Sequence, residues 1–258
     1  MESKQLRNLL QSAALLAAGY AASGTAQTQA APRMPFAVAP TFIPIAGTGD
    51  VFPVRRIYCI GRNYADHARE MGVDPNREPP FFFGKPHDVV VPRGGEIAYP
   101  PATSNLHYEV ELVVALAKGG RDIPAAEALG HIYGYAVGID LTRRDLQAKS
   151  KDKGQPWDTA KGFDASAPIS PITPASAGAY LKQGAIWLAV NGLEKQRGNL
   201  ADMIWSVPEV IAHISGFVAL APGDLIFTGT PAGVGPIVRG DRVRCGIDGL
   251  GELEIVLV

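Results

Sequence analysis

The chain has 258 residues, with 24 basic against 25 acidic side chains, so its net charge of −1 builds in no generic attraction to a polyanion. Apolar residues make up 47% and charged residues 19%, which excludes a disordered chain and supplies a large buried core. Cys59 and Cys245 are the only cysteines, too few for a disulfide scaffold or a cysteine metal cluster.

Residues 1–33 stand apart from the rest. Lys4 and Arg7 precede an apolar stretch from Leu9 to Ala18, and the small polar run Ala22 to Ala26 follows, in the layout of a secretory signal peptide. Its apolar part is too short to span a bilayer, and no other segment approaches the ~18 apolar residues of a membrane helix. The alternative is a translation start at Met34, which makes the remainder, 34–258, cytoplasmic rather than exported.

Arg56 to Ile60 reads as a short strand, and Ala65 to Met71 as a short helix stopped by Gly72 and Pro75. Gly84-Lys85-Pro86 turns the chain after three phenylalanines. Residues 107–117 and 131–141 are β-rich, separated by a helical stretch around Ala125 to Leu129. Arg143 to Lys149 forms a helical turn before a lysine-rich loop that ends at Lys153. Further strands are expected at 185–191, 224–228, 241–247 and 252–257. A helix from Pro208 to Ser215 has proline in its first turn and Gly216 as its stop. The 29 glycines and 21 prolines carry no period, as in a fold of many short strands and turns. The fold class is therefore α+β and β-rich, a single domain with a few short helices.

Three groups of side chains carry chemistry. Glu109 and Glu111 lie two residues apart, on one face of a regular strand, with Cα atoms about 6.7 Å apart. A lone Glu-X-Glu is more often a solvated face, but this pair interrupts an otherwise apolar strand, and Asp140 ends another. Three carboxylates without a cysteine or a clear histidine partner suit Mg²⁺ or Mn²⁺, one ion per chain, better than zinc. His107 points with the two glutamates if the strand is regular. His67 and Glu70 share a helical face at i, i+3, where the carboxylate orients the imidazole for general-base work; the plainer reading is a weak surface contact. Lys161 sits among apolar and small residues, placed either to neutralise an anion or to end an exposed loop. The glycine-rich loop Phe227 to Gly235 lacks the ending of a phosphate loop and reads as a tight turn, with Thr230 a possible donor to a carboxylate. Lys149, Lys151 and Lys153 are too few, and lack interleaved aromatics, for nucleic-acid binding.

Each signal is weak alone, but their order along the chain is specific. Gly61-Arg62-Asn63-Tyr64-Ala65-Asp66-His67, Phe83-Gly84-Lys85-Pro86, His107 to Glu111, Gly138 to Gln147, Trp157 to Phe163 and Thr228-Gly229-Thr230-Pro231 together resemble the fumarylacetoacetate hydrolase family. The resemblance runs from about residue 52 to the C-terminus and is greatest to its bacterial acylpyruvate hydrolases. It implies a mixed β-sandwich or roll, commonly a homodimer, acting on a small diketo acid. By resemblance, Glu109, Glu111 and Asp140 are the Mg²⁺ or Mn²⁺ ligands, and His67 and Glu70 are a dyad on a lid that closes over substrate. Lys161 is catalytic, and Arg62, Arg144, Gln147 and Thr230 bind substrate. The implied reaction is hydrolysis of the C3–C4 bond of 2,4-dioxo acids, fumarylpyruvate foremost, in the breakdown of aromatic compounds such as gentisate. Two rivals remain: decarboxylation or isomerisation of an oxo acid such as oxaloacetate on the same scaffold, and an exported module that binds a metal or dicarboxylate without catalysis.

Overall fold

The strand Val110–Leu116 is buried at every position, and its side chains divide by parity between two hydrophobic cores. Val110, Leu112, Val114 and Leu116 enter the larger core, while Val113 and Ala115 enter the smaller one. Alternation on a pleated strand produces that division, which explains why the run is apolar throughout rather than at every second residue. Leu225–Phe227 behaves alike, with Ile226 facing the larger core and Leu225 and Phe227 the smaller.

The computed structural model describes residues 35–72, 78–175 and 180–258, and the unit that carries the fold runs from Ala39 to Val258. The proposed leader, 1–33, lies outside the described residues. Eight strands form a mixed sheet, in the order Phe82–Lys85, Ile57–Ile60, Leu225–Phe227, Val110–Leu116, Ile132–Ile139, Ala167–Ile169 and Val90–Pro92, with Thr173–Pro174 also on Ile132–Ile139. A second sheet contains five strands, Leu193–Asn199, Ala185–Val190, Arg242–Ile247, Gly251–Leu257 and Gly95–Ile97. Its inward residues, Leu188, Cys245 and Ile255 among them, share the larger core with the first sheet. A small sheet joins Thr142–Arg143, Leu106–Tyr108 and Gly235–Ile237. Four short α-helices lie among the described residues, Ala65–Glu70, Arg144–Asp152, Asp158–Lys161 and Val207–Phe217. The result is the β-rich α+β architecture expected from the sequence. No helix among the described residues is long and apolar enough to cross a membrane.

Several local expectations are corrected. The stretch 107–117 is two strands in two different sheets, broken at Glu109. Phe82–Lys85 is a sheet strand, so the chain turns after Lys85 rather than through it. The lysines at 149 and 151 belong to helix Arg144–Asp152, not to a loop. Helix Val207–Phe217 runs through Gly216 to end at Phe217, and the stretch near Ala125 is a 3₁₀ turn over Ala128–His131. Leu193–Asn199 was missed because it is an edge strand whose exposed, charged residues show no apolar alternation.

Asn63 fastens three segments around the future site. Its side chain is fully buried; Nδ2 donates to Trp205 O at 2.9 Å and Thr228 O at 2.8 Å, and Oδ1 accepts from Trp205 N at 2.7 Å. Gly229 packs on it, where a Cβ would stand 2.7 Å from Asn63 Cβ at a φ of +99°. Only glycine tolerates both the contact and that backbone conformation. Replacing Asn63 by alanine strands three backbone groups, each worth about 1–3 kcal/mol when buried without a partner. Asn63→Ala is expected to lower the unfolding free energy by about 2–4 kcal/mol, read as a reduced urea midpoint at unchanged m-value.

Candidate active site

The register of two neighbouring strands gathers the acidic residues. Val110 pairs with Ile139 and Glu111 with Gly138, so the next step beyond the ladder sets Asp140 opposite Glu109. A backbone bond confirms the step, with Asp140 N donating to Glu109 O at 2.8 Å. Glu109, Glu111 and Asp140 are all buried, and each offers a carboxylate oxygen within 4.8 Å of the other two. Hard oxygen donors at this spacing, with no thiolate or imidazole in the set, fit Mg²⁺ or Mn²⁺. Asp140 Oδ1 is buried and accepts no hydrogen bond; the Lys85 ammonium lies 2.8 Å away without the alignment of one. An oxygen so placed keeps a lone pair for a cation.

Three cations meet the three acids. Lys161 Nζ donates to Glu109 Oε2 and to Asp140 Oδ2, both at 2.7 Å. Arg144 Nη2 donates to Glu109 Oε1 at 2.5 Å. Lys85 donates to the carbonyls of Leu141 and Lys161 while facing Asp140. Burial pushes the Glu109 carboxyl up, but Lys161 and Arg144 outweigh it and hold this group below the ordinary carboxylate range. Glu111 moves the other way. Burial first, then the charges of Asp140 and Glu109, raise it well above 4.5, opposed by the Gly229 N–H that donates to its Oε2 at 2.7 Å. Burial lowers Lys161, yet Asp140 and Glu109 leave it raised and firmly charged.

His67 faces the cluster across the same cavity. Its Nδ1 lies 3.0 Å from Glu70 Oε2, and Gly233 N donates to Glu70 Oε1 at 3.1 Å. A carboxylate only accepts, so Nδ1 carries the hydrogen, and in the neutral ring Nε2 is the nitrogen with the lone pair. Of the ten side chains to which the resemblance gives a metal, catalytic or substrate role, nine line this one cavity; the tenth, Glu70, stands behind His67. Gln147 Oε1 accepts from Arg144 Nη1 at 2.6 Å, which leaves its amide hydrogens for a ligand. Thr230 Oγ1 accepts from Gln196 Nε2 at 2.8 Å, so its own hydrogen is available to the cavity.

Two contributors carry almost no signal in the residue spacing, and His107 stands elsewhere than a regular strand would put it. Lys85, in a stretch that reads as a turn, is buried and faces Asp140; its position after three phenylalanines is the one signal of a buried counter-charge. Gln196, on an edge strand, accepts from Val110 N at 3.0 Å and so fixes the peptide between the two glutamates. His107 lies in the small sheet, not on the strand of Glu111. Its Nε2 lies 2.9 Å from Asn105 Oδ1, and Arg144 Nε donates to Nδ1 at 3.4 Å. Burial and then Arg144 lower it to about 4, so a neutral imidazole steers that guanidinium.

The family model for the fumarylacetoacetate (FAA) hydrolase C-terminal region matches residues 56–258. The chain belongs to the fumarylacetoacetate hydrolase family. Within that family it is 46% identical to a fumarylpyruvate hydrolase from a Ralstonia species over 185 residues, which is 72% of this chain and 96% of the relative. It is 44% identical to a mitochondrial oxaloacetate tautomerase from Mus musculus over 200 residues, 78% of this chain and 90% of the relative. Among solved structures, the fumarylpyruvate hydrolase of Pseudomonas aeruginosa in complex with Mn²⁺ and pyruvate superposes with a TM-score of 0.85 at 53% identity, covering 88% of this chain and 99% of that one.

The electrostatics of Glu111 set a pH dependence in the metal-free protein. Because its folded value is raised above 4.5, this group adds stability that is complete below the unfolded value and is lost as pH rises through the folded one. Metal-free Glu111→Gln lacks that loss, so its Tm should gain on the wild type as pH increases from about 4.5 toward 8. Added Mn²⁺ should raise the Tm of the wild type at high pH and not that of Glu111→Gln, as measured by calorimetry.

Proposed function

We propose that the protein is a metal-dependent hydrolase that cleaves the C3–C4 bond of acylpyruvates, with fumarylpyruvate, giving fumarate and pyruvate, as the first substrate to test. The observation that carries this reading is the acidic triad facing a carboxylate-oriented histidine across one cavity. The Pseudomonas aeruginosa relative, whose structure holds Mn²⁺ and pyruvate, supports the metal and the product.

A Mg²⁺ or Mn²⁺ held by Glu109, Glu111 and Asp140 supplies Lewis acidity toward the 2-oxo-carboxylate head. Lys85, Lys161 and Arg144 already balance the three carboxylates, so the metal-loaded pocket carries excess positive charge and favours an anion. The Gln147 amide and the Thr230 hydroxyl donate to the substrate oxygens and fix its orientation. Nε2 of His67 takes a proton from water, and Glu70 holds the imidazolium that forms. The resulting hydroxide adds to C4, the C3–C4 bond breaks, and its electron pair passes into the enolate of pyruvate. Lys161 stabilises the charge that develops, and the proton returns from His67 to C3. One preorganised donor at such a position is worth about 3–4 kcal/mol.

Isomerisation is the second reading, favoured by the 44% identity to the oxaloacetate tautomerase. It needs a proton moved at C3 and no attacking water, which His67 also serves. Incubating the protein with fumarylpyruvate, acetylpyruvate and oxaloacetate, with and without a chelator, separates the readings. Chelator-sensitive release of pyruvate and a carboxylic acid is expected; conversion restricted to the keto and enol forms of oxaloacetate replaces hydrolysis by tautomerisation, and CO₂ release replaces it by decarboxylation. His67→Ala should lower acylpyruvate hydrolysis by roughly 10²–10⁴-fold while Mn²⁺ affinity is retained, and unchanged turnover removes the dyad from the mechanism.

A further inference from the structure

Two cations line the cavity without a counter-charge. Arg62 and Lys151 both border the space around the acidic triad, and neither side chain has a hydrogen bond or ion pair to a described residue. Each lies against an aromatic ring: the Arg62 guanidinium carbon is 4.9 Å from the Phe81 ring centroid, and Lys151 Nζ is 5.5 Å from that of Trp157. The two rings meet edge to face at 5.3 Å, so one aromatic wall carries both charges. Arg62 adopts a φ of 59°, a left-handed conformation that a non-glycine residue holds only where its surroundings impose it. Burial, then the charges of Arg144 and Arg62, hold the Lys151 ammonium below its ordinary range. Glu109, Glu111 and Asp140 share this cavity but are paired with Lys161, Arg144 and Lys85, so the two cations on the aromatic wall keep donors free for an anionic ligand.

We infer that Arg62 and Lys151 form a subsite for a second carboxylate, at the far end of the acyl group, so that the enzyme selects dicarboxylic over monocarboxylic substrates. The inference rests on the proposed reading of the triad as the end that holds the 2-oxo-acid head. Phe81 and Trp157 then lie along the linker between the two anionic ends, where ring faces and edges suit a flat, unsaturated chain.

Binding rather than turnover tests it. Calorimetry on the Mn²⁺-loaded protein compares 2-oxoadipate with 2-oxohexanoate, which share the head and chain length and differ in the terminal carboxylate. The wild type should bind 2-oxoadipate at least about tenfold more tightly, and Lys151→Met and Arg62→Met should each remove most of that preference, as expected for a charge-assisted contact. Lys151 is on the exposed side of its helix, so its variant carries the test even if Arg62→Met fails to fold. Equal affinity for the two ligands in the wild type, or an undiminished preference in Lys151→Met, overturns the subsite. Loss of acylpyruvate turnover in the wild type would instead strike the hydrolase reading and leave the affinity ratio as a separate result.

Discussion

Three carboxylates within 4.8 Å of one another in a buried pocket persist only where opposite charge is brought to them, and much of this fold serves that requirement. Lys85 arrives from the edge strand Phe82–Lys85, Lys161 from the short helix Asp158–Lys161, and Arg144 from the start of helix Arg144–Asp152. Each cation therefore ties a different element to the junction between Val110–Leu116 and Ile132–Ile139. The balance is uneven by design of the geometry. Glu109 receives two cations directly, whereas Glu111 receives only a backbone N–H, and its carboxyl is consequently the one pushed up. A divalent cation held by the triad would supply Glu111 with the positive charge that its protein neighbours do not.

A second layer, made of neutral amides and an imidazole, sets the direction of the charged groups. Gln196 holds the peptide between the two glutamates and also bonds to Thr230 Oγ1 and Pro231 O. Asn63 joins the turn before helix Ala65–Glu70 to the Thr228–Gly229 segment and the approach to helix Val207–Phe217. His107 and Asn105 steer Arg144, which in turn orients the Gln147 amide. Because each of these groups is already satisfied by protein partners, the donors aimed at the cavity need little reorganisation when a ligand binds.

What the sequence made legible follows from which signals are local. The long apolar strands, the proline-started helix and the Glu-X-Glu pattern show in residue spacing, because burial on both sheet faces leaves continuous apolar runs. The break at Glu109 does not show, since it depends on the chain leaving the three-stranded sheet for the eight-stranded one. Lys85 is hidden for a related reason: its partner Asp140 is distant in the chain, and only the folding of the sheet brings the two together. Gln196 lies on a strand whose exposed side chains conceal the one position that faces inward. The convergence of His67 with the triad came from the ordered motifs of a family resemblance, because an i, i+3 pair on a short helix carries no information about what it faces.

Joint capture of one divalent ion by Glu109, Glu111 and Asp140 is the property on which the proposed chemistry depends. Electron paramagnetic resonance of Mn²⁺ titrated into the protein counts bound ions directly. One tightly held ion per chain is expected in the wild type and none in Asp140→Asn, whose fold is checked by circular dichroism. Equal Mn²⁺ occupancy in the folded Asp140→Asn protein, or no tight binding in the wild type, would contradict joint capture.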